Sequence, residues 1–175
     1  MVNIILSKSE RALFIEIQRF KQKWIWFAVI ACSGPIWYGF ICQIILGKSL
    51  GDKPAPDILL WLFFLLFGIG LPWFMFSLKL IVQVKKDGLH IQFFPLKKFL
   101  LNITDIKSYK YREYKPIKEY GGWGIKYSSK HGKAYNVSGN KGVQLEITNN
   151  KKILIGSQDP HKLINAIDTA ISYNK

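Results

Sequence analysis

Two periods of hydrophobicity divide this chain. From Trp24 to Leu46, 23 residues pass without a charge, and from Ile58 to Leu78 another 21 do. A bilayer core takes about 20 helical residues, so the pattern predicts transmembrane helices over 24–46 and 58–78. Between them, Gly47-Lys-Ser-Leu-Gly-Asp-Lys-Pro-Ala-Pro-Asp57 has the Gly and Pro punctuation of a tight connection. Residues 47–57 therefore read as the extracytoplasmic loop of a helical hairpin. A cleaved signal peptide does not fit, because the first run is too long, lacks a small-residue cleavage site and is followed at once by a second.

From Lys79 onward the period changes to two. Leu80, Val82 and Val84 alternate with Ile81, Gln83 and Lys85, and after Lys86-Asp-Gly88 the alternation resumes through Leu89, Ile91 and Phe93. Alternation on both sides of Asp-Gly predicts a hairpin. Further strands are expected at 98–101, 106–114, 125–127, 134–137, 143–147 and 153–155, the last two joined by a turn at Asn149-Asn150. Asp159-Pro160 then starts a helix, with Asp at the N-cap and Pro at the first helical position. Leu163, Ile164, Ile167 and Ile171 form its apolar face. The expected fold is a membrane α-helical hairpin plus an α+β domain over 79–175, with about seven antiparallel strands and one C-terminal helix.

Residues 1–23 carry two readings. Ser7-Lys-Ser-Glu10 has the form of a capping box, and Leu13, Ile17, Phe20 and Trp24 follow with helical spacing. The favoured expectation is an amphipathic interfacial helix over 8–23. The other is a strand through Ile15 and Ile17 that joins the domain's sheet. Within the first span, Ala28, Ala31, Cys32, Pro35, Gly39 and Cys42 form a stripe of small side chains expected to face the second helix, with Gln43 bonding across. Such spans can pair within one chain or between chains, so a homo-oligomer stays open.

Charge sets the expected orientation. Net charge is +14 although 49% of residues are hydrophobic, so charge and hydrophobicity occupy different segments. Lys8, Arg11, Arg19, Lys21 and Lys23 precede the first span, and Lys79, Lys85 and Lys86 follow the second, while the loop holds only Lys48 and Lys53 against Asp52 and Asp57. The positive-inside rule places both termini in the cytoplasm.

Certain runs sharpen the picture. Asn102-Ile-Thr-Asp-Ile106 resembles the turn before the fourth strand of bacterial pleckstrin-homology-like (PH-like) domains. Glu16-Ile-Gln-Arg-Phe20, Phe67-Gly-Ile-Gly-Leu-Pro72, Glu119-Tyr-Gly-Gly-Trp-Gly-Ile-Lys126, Ala134-Tyr-Asn-Val-Ser-Gly139 and Ile155-Gly-Ser-Gln158 resemble an uncharacterised bacterial family of two-span proteins carrying such a domain. The resemblance covers nearly the whole chain. It implies a PH-like barrel and the bacterial inner membrane, and it implies no activity.

Chemistry is sparse. His90, His131 and His161 lack metal-ligand spacing, Ser138 lacks a G-x-S-x-G elbow, and the glycines at 121, 122 and 124 lack a phosphate-loop context. No catalytic residue, metal or cofactor is expected, and the chain reads as a non-enzyme. Residues 79–175 hold 18 Lys and Arg against 7 Asp and Glu, a net of +11. The first function expected is an adaptor that offers Arg112, Tyr120, Trp123 and Tyr135 to a protein partner, these being hot-spot residue types. Trp123 and Tyr135 read equally as packing residues. The alternative is anionic headgroup sensing by Lys110, Lys115, Lys118, Lys126, Lys130, Lys133 and Lys141. Nucleic acid is not expected, because no recognition motif is present. Charge runs of this kind are also ordinary solvated faces beside an anionic leaflet.

Overall fold

The structure, a computed structural model, describes residues 12–48, 51, 53–148 and 150–174. The expected capping box at Ser7–Glu10 and Asn149 of the expected turn lie outside these. The chain divides into two compact units, Phe20–Leu78 and the flanking segments up to Arg19 and from Lys79.

The first unit is a pair of apolar helices, α1 (Lys23–Ile45) and α2 (Asp57–Ser77), each long and apolar enough to cross a membrane. The packing face of α1 is not the small-residue stripe. Ala28, Ala31, Cys32 and Pro35 are exposed, whereas Val29, Ser33 and Phe40 are buried. Aromatic interdigitation explains the correction. Phe40 stacks on Phe64 at 3.9 Å between centroids, and Trp37 meets Phe64 edge-on at 4.7 Å. The small residue that admits a neighbour is on the other helix, at buried Gly68.

Over Phe64–Gly70 α2 widens into a π-helix, which disturbs the normal carbonyl pairing. Two donors of α1 meet it: Ser33 Oγ donates to Phe67 O at 2.8 Å and Trp37 Nε1 to Gly68 O at 3.0 Å. Gln43 does bond across, to Ala55 O at 2.6 Å and Asp57 Oδ1 at 2.8 Å.

The second unit is built on two sheets. Strands β1 (Phe14–Arg19), β2 (Lys79–Val84), β3 (Gly88–Phe94) and β4 (Lys97–Asn102) form an antiparallel meander. The helical hairpin is thus an insertion between two paired strands, with Arg19 opposite Lys79. The helix expected over 8–23 is corrected here, since Phe14–Arg19 is strand. The Leu13-Ile17-Phe20 spacing is outweighed by pairing with β2, which gives 14–19 an unbroken ladder along one edge. Ile15 and Ile17 face outward at 57% and 58% exposure, and Gln18 is buried.

The second sheet runs β5 (Ile106–Glu113), β8 (Lys141–Ile147), β9 (Lys152–Gly156), β7 (Gly132–Asn136), β6 (Gly124–Ser128). Strands β7 and β9 pair in parallel. Nine described strands in two open sheets replace the seven antiparallel strands expected, and hydrogen bonding closes no barrel. A short helix α3 (Pro116–Tyr120), not expected from sequence, follows β5 and ends at Gly121, whose φ of +71° supplies the left-handed cap.

The C-terminal helix α4 (Pro160–Tyr173) packs on β5 and β8 of one sheet and on β1 and β2 of the other. Its N-cap is as expected, with Asp159 accepting from Lys162 N at 3.2 Å. Leu163, Ile167 and Ala170 meet a core of Leu80, Val82, Ile91, Val143, Leu145 and Ile155. Each large aliphatic side chain buried there contributes about 1.5–3 kcal/mol.

Candidate functional site

Four of the five runs that resemble the two-span family meet at one seam of the second unit, and the fifth, Phe67–Pro72, belongs to the helical hairpin. Glu16 of β1 accepts from Ser157 Oγ at 2.5 Å and from Gln158 N at 2.6 Å. Gln18 Nε2 donates to Gly156 O at 2.7 Å. Gln158 Nε2 reaches Ser138 Oγ at 3.0 Å, Gly124 N donates to Asn136 Oδ1 at 3.0 Å, and Trp123 Nε1 donates to Gly139 O at 3.0 Å. Four stretches far apart in sequence are thereby laced together. Gly156 has a close-contact reason to be glycine, as a Cβ there would stand 2.9 Å from Asn136 Cβ. These residues hold the two sheets in place, and the pattern is accounted for by architecture.

A second cluster surrounds Arg112 on β5. Its Nη2 donates to Glu119 Oε2, and its Nη1 to Gln144 Oε1 at 2.7 Å. It also donates to His131 Nδ1 at 3.2 Å, so that nitrogen accepts and the ring proton sits on Nε2, 3.8 Å from Glu119. Glu119 Oε1 takes Lys115 N at 2.8 Å, which fixes the start of α3. The guanidinium is thus committed inside the domain.

Of the four residues expected to meet a partner, Tyr120 and Tyr135 are core residues, exposed by 5% and 1%. Burial raises the Tyr120 hydroxyl pKa. Arg112 and Trp123 are half-buried. The structure does not bring the four together on one surface.

The lysines expected to read headgroups separate into groups. Lys110 is exposed on β5, while Lys115 and Lys118 flank and occupy α3. Lys141 lies 3.8 Å from Glu113, and Lys126 is half-buried on β6. Lys130 and Lys133 are different, because they line a groove of about 720 Å³ together with Lys151 and Lys152. Phe99 and Tyr127 form its aromatic walls, and among the described lining residues none is acidic. Lys133 Nζ sits 5.0 Å from the Tyr135 ring centroid and 5.8 Å from that of Phe99. Cation–π contact of this kind orients the ammonium while leaving its donors available.

Lys151 and Lys152 were missed from sequence. The adjacent pair was visible, but its proximity to Lys130 and Lys133 depends on the parallel β7–β9 pairing, which no local pattern encodes. Mutual repulsion of four ammonium groups around one opening is relieved by a bound polyanion. Among the described residues, of these four lysines Lys152 alone has a carboxylate within ion-pair distance, Glu146 at 3.9 Å. Among the described residues no group of three or more His, Cys, Asp or Glu is placed to hold a metal ion.

Known proteins add one relation. The chain belongs to a family of unknown function, DUF6141, which it matches over residues 7–173. No curated protein and no solved structure matches it.

Proposed function

With the family fixed, we propose that the chain is a membrane-anchored, non-catalytic recognition module whose lysine groove takes phosphorylated anionic headgroups. The observation that carries this is the gathering of Lys130, Lys133, Lys151 and Lys152 around one groove with aromatic walls. A lysine near an anionic surface contributes about 1 kcal/mol, so four acting together select charged over zwitterionic lipid.

In this reading α1 and α2 span the bacterial inner membrane, with both termini cytoplasmic. Helix length and composition support spanning, and the Lys and Arg flanking the hairpin support the orientation. The pairing of Arg19 with Lys79 supports one common side for the two flanks, and the choice of side rests on the charges. Both ends of the hairpin enter the same sheet, so a hairpin that spans leaves both flanks on one side. The PH-like reading of the domain rests on the four-strand meander, the second sheet and the terminal helix. The parallel pair and the open sheets depart from it.

Protein recognition is the second reading. One observation favours it: β6 is a sheet edge, and its Tyr127 is 76% exposed. An edge strand of this kind can accept an added strand. A photo-crosslinker at Trp123 or Tyr127 that yields a discrete protein adduct in native membranes would favour this adaptor role.

Lysine footprinting of the full chain in nanodiscs tests the first reading. In discs containing phosphatidylglycerol, Lys130, Lys133, Lys151 and Lys152 are expected to lose acetylation reactivity several-fold relative to phosphatidylcholine discs. High salt should restore it. Equal reactivity in both lipids at low salt would reject headgroup binding by the groove.

A further inference from the structure

The register of the first sheet fixes one more surface. Chain direction runs toward the hairpin along β1, away from it along β2 and back toward it along β3. Arg19, Lys79 and Phe94 therefore form the last cross-strand row on the side where the helices attach. Beyond that row the sheet runs on into the β3–β4 turn, which Leu96 N closes by donating to Phe93 O at 2.8 Å. Ser77 is the last residue of α2, so Lys79 follows it by two residues, within about 7 Å of chain. Phe94 lies one strand spacing further, about 5 Å. Whatever the angle of the domain, a hairpin that spans keeps this row beside the bilayer surface.

The turn has the composition of a membrane-dipping loop. Phe94 is 39% and Leu96 is 59% exposed, and Pro95 between them is exposed too. Adjacent exposed apolar side chains rimmed by polar ones have the form of a membrane or protein contact. Lys97 and Lys98 follow at once, Lys79 Nζ stands 5.0 Å from the Phe94 ring, and Gly88–Thr104 holds no acidic residue. Apolar side chains at the tip with cations immediately behind match the layering of an anionic interface.

We propose that the Phe94–Leu96 turn is a third membrane contact, inserting Phe94 and Leu96 into the interface of the leaflet the domain faces while Lys79, Lys97 and Lys98 engage anionic headgroups. The turn holds the first sheet against the bilayer, so the domain keeps one orientation instead of swinging on its two tethers. This inference rests on the spanning reading, and it is independent of the lysine groove.

The test uses the full chain in phosphatidylglycerol-containing vesicles, with Cys32 and Cys42 replaced by serine and an environment-sensitive fluorophore on one new cysteine. Ile69→Cys reports the middle of α2, Leu96→Cys reports the turn, and Tyr173→Cys, 59% exposed beside Lys86 past the opposite end of β2, reports the far side of the domain. Quenchers on the lipid chains are expected to quench Ile69 strongly, Leu96 partly with a blue-shifted emission, and Tyr173 not at all. Lys97→Glu with Lys98→Glu should reduce quenching at Leu96 at least two-fold. Quenching at Ile69 with Leu96 behaving like Tyr173 would overturn the membrane contact and leave spanning intact. No quenching at Ile69 would overturn spanning, and this contact with it.

Discussion

The Tyr114 hydroxyl is buried beside the Asn136 side chain, and the two meet without a well-formed hydrogen bond. An unpaired buried hydroxyl costs about 1–3 kcal/mol, and replacing it with an apolar group of the same shape is neutral or stabilising. Tyr114→Phe is therefore expected to leave stability unchanged or raise it by about 1 kcal/mol. Burial pushes the Tyr114 pKa up to about 12, above the value near 10 of an unfolded tyrosine. Below about pH 10 both states hold the proton. Between about 10 and 12 the unfolded chain loses it first, so stability falls as pH rises through that window. Tyr109 shares the window, its pKa raised to about 12 by its hydrogen bond to Asp168. Hydrogen exchange of β8 and β9 amides at pH 8 and pH 11 should show a shallower alkaline loss in Tyr114→Phe than in the parent. An equal loss would remove Tyr114 from the account. Residue type alone could not separate interface from interior here: Tyr120 and Tyr135 suit a hot spot and a core equally, and only packing assigns them.

At the level of elements, alternation and caps carried most of the legible fold. The β2–β3 hairpin, β5, the β8–β9 pair and α4 were all readable, because period-two patterning and Asp-Pro capping are local signals. β1 was not settled, for a physical reason: two of its three inward residues, Glu16 and Gln18, are polar, and their partners at 156–158 follow about 140 residues later. Glu16→Ala should cost about 2–3 kcal/mol, since it strands Ser157 Oγ and the Gln158 amide. Faster exchange confined to 156–159 and β1 would confirm that the cost lies at the seam, and unchanged exchange would refute it. The groove was half legible, through Lys130 and Lys133. Its other half needed the β7–β9 register, which also constrains Gly132. With φ at +78° and a Cβ site 2.1 Å from Lys152 O, Gly132→Ala should break the parallel pair and cost at least about 3 kcal/mol. A melting temperature within a degree or two of the parent would show that the pair tolerates it.

For the whole molecule, the proposed spanning gives the hairpin and the domain different solvents, and charge marks the division. Spanning predicts a labelling pattern in intact cells, again in the Cys32→Ser, Cys42→Ser background. A cysteine at Lys53, in the connection between the helices, should react with an impermeant thiol reagent. One at Ile117, 68% exposed on α3, should react only after lysis. The opposite pattern would invert the arrangement. Any soluble fragment should be judged with β1 in mind. Residues 79–175 alone lack the strand that supplies Glu16 and Gln18, so such a piece is not the whole domain.

Placing the hairpin between two paired strands also sets an order of synthesis. Residues 14–19 leave the ribosome first, yet their ladder partner at 79–84 exists only after both apolar helices have been made. Their seam partners at 156–158 come later still. Until then β1 lacks both its ladder and its seam, and Gln18, buried in the folded domain, stays in water. Assembly of the domain is thereby gated by the fate of the hairpin. On the spanning reading, a chain whose helices fail to insert leaves β1 waiting for a partner strand that has not been delivered to it.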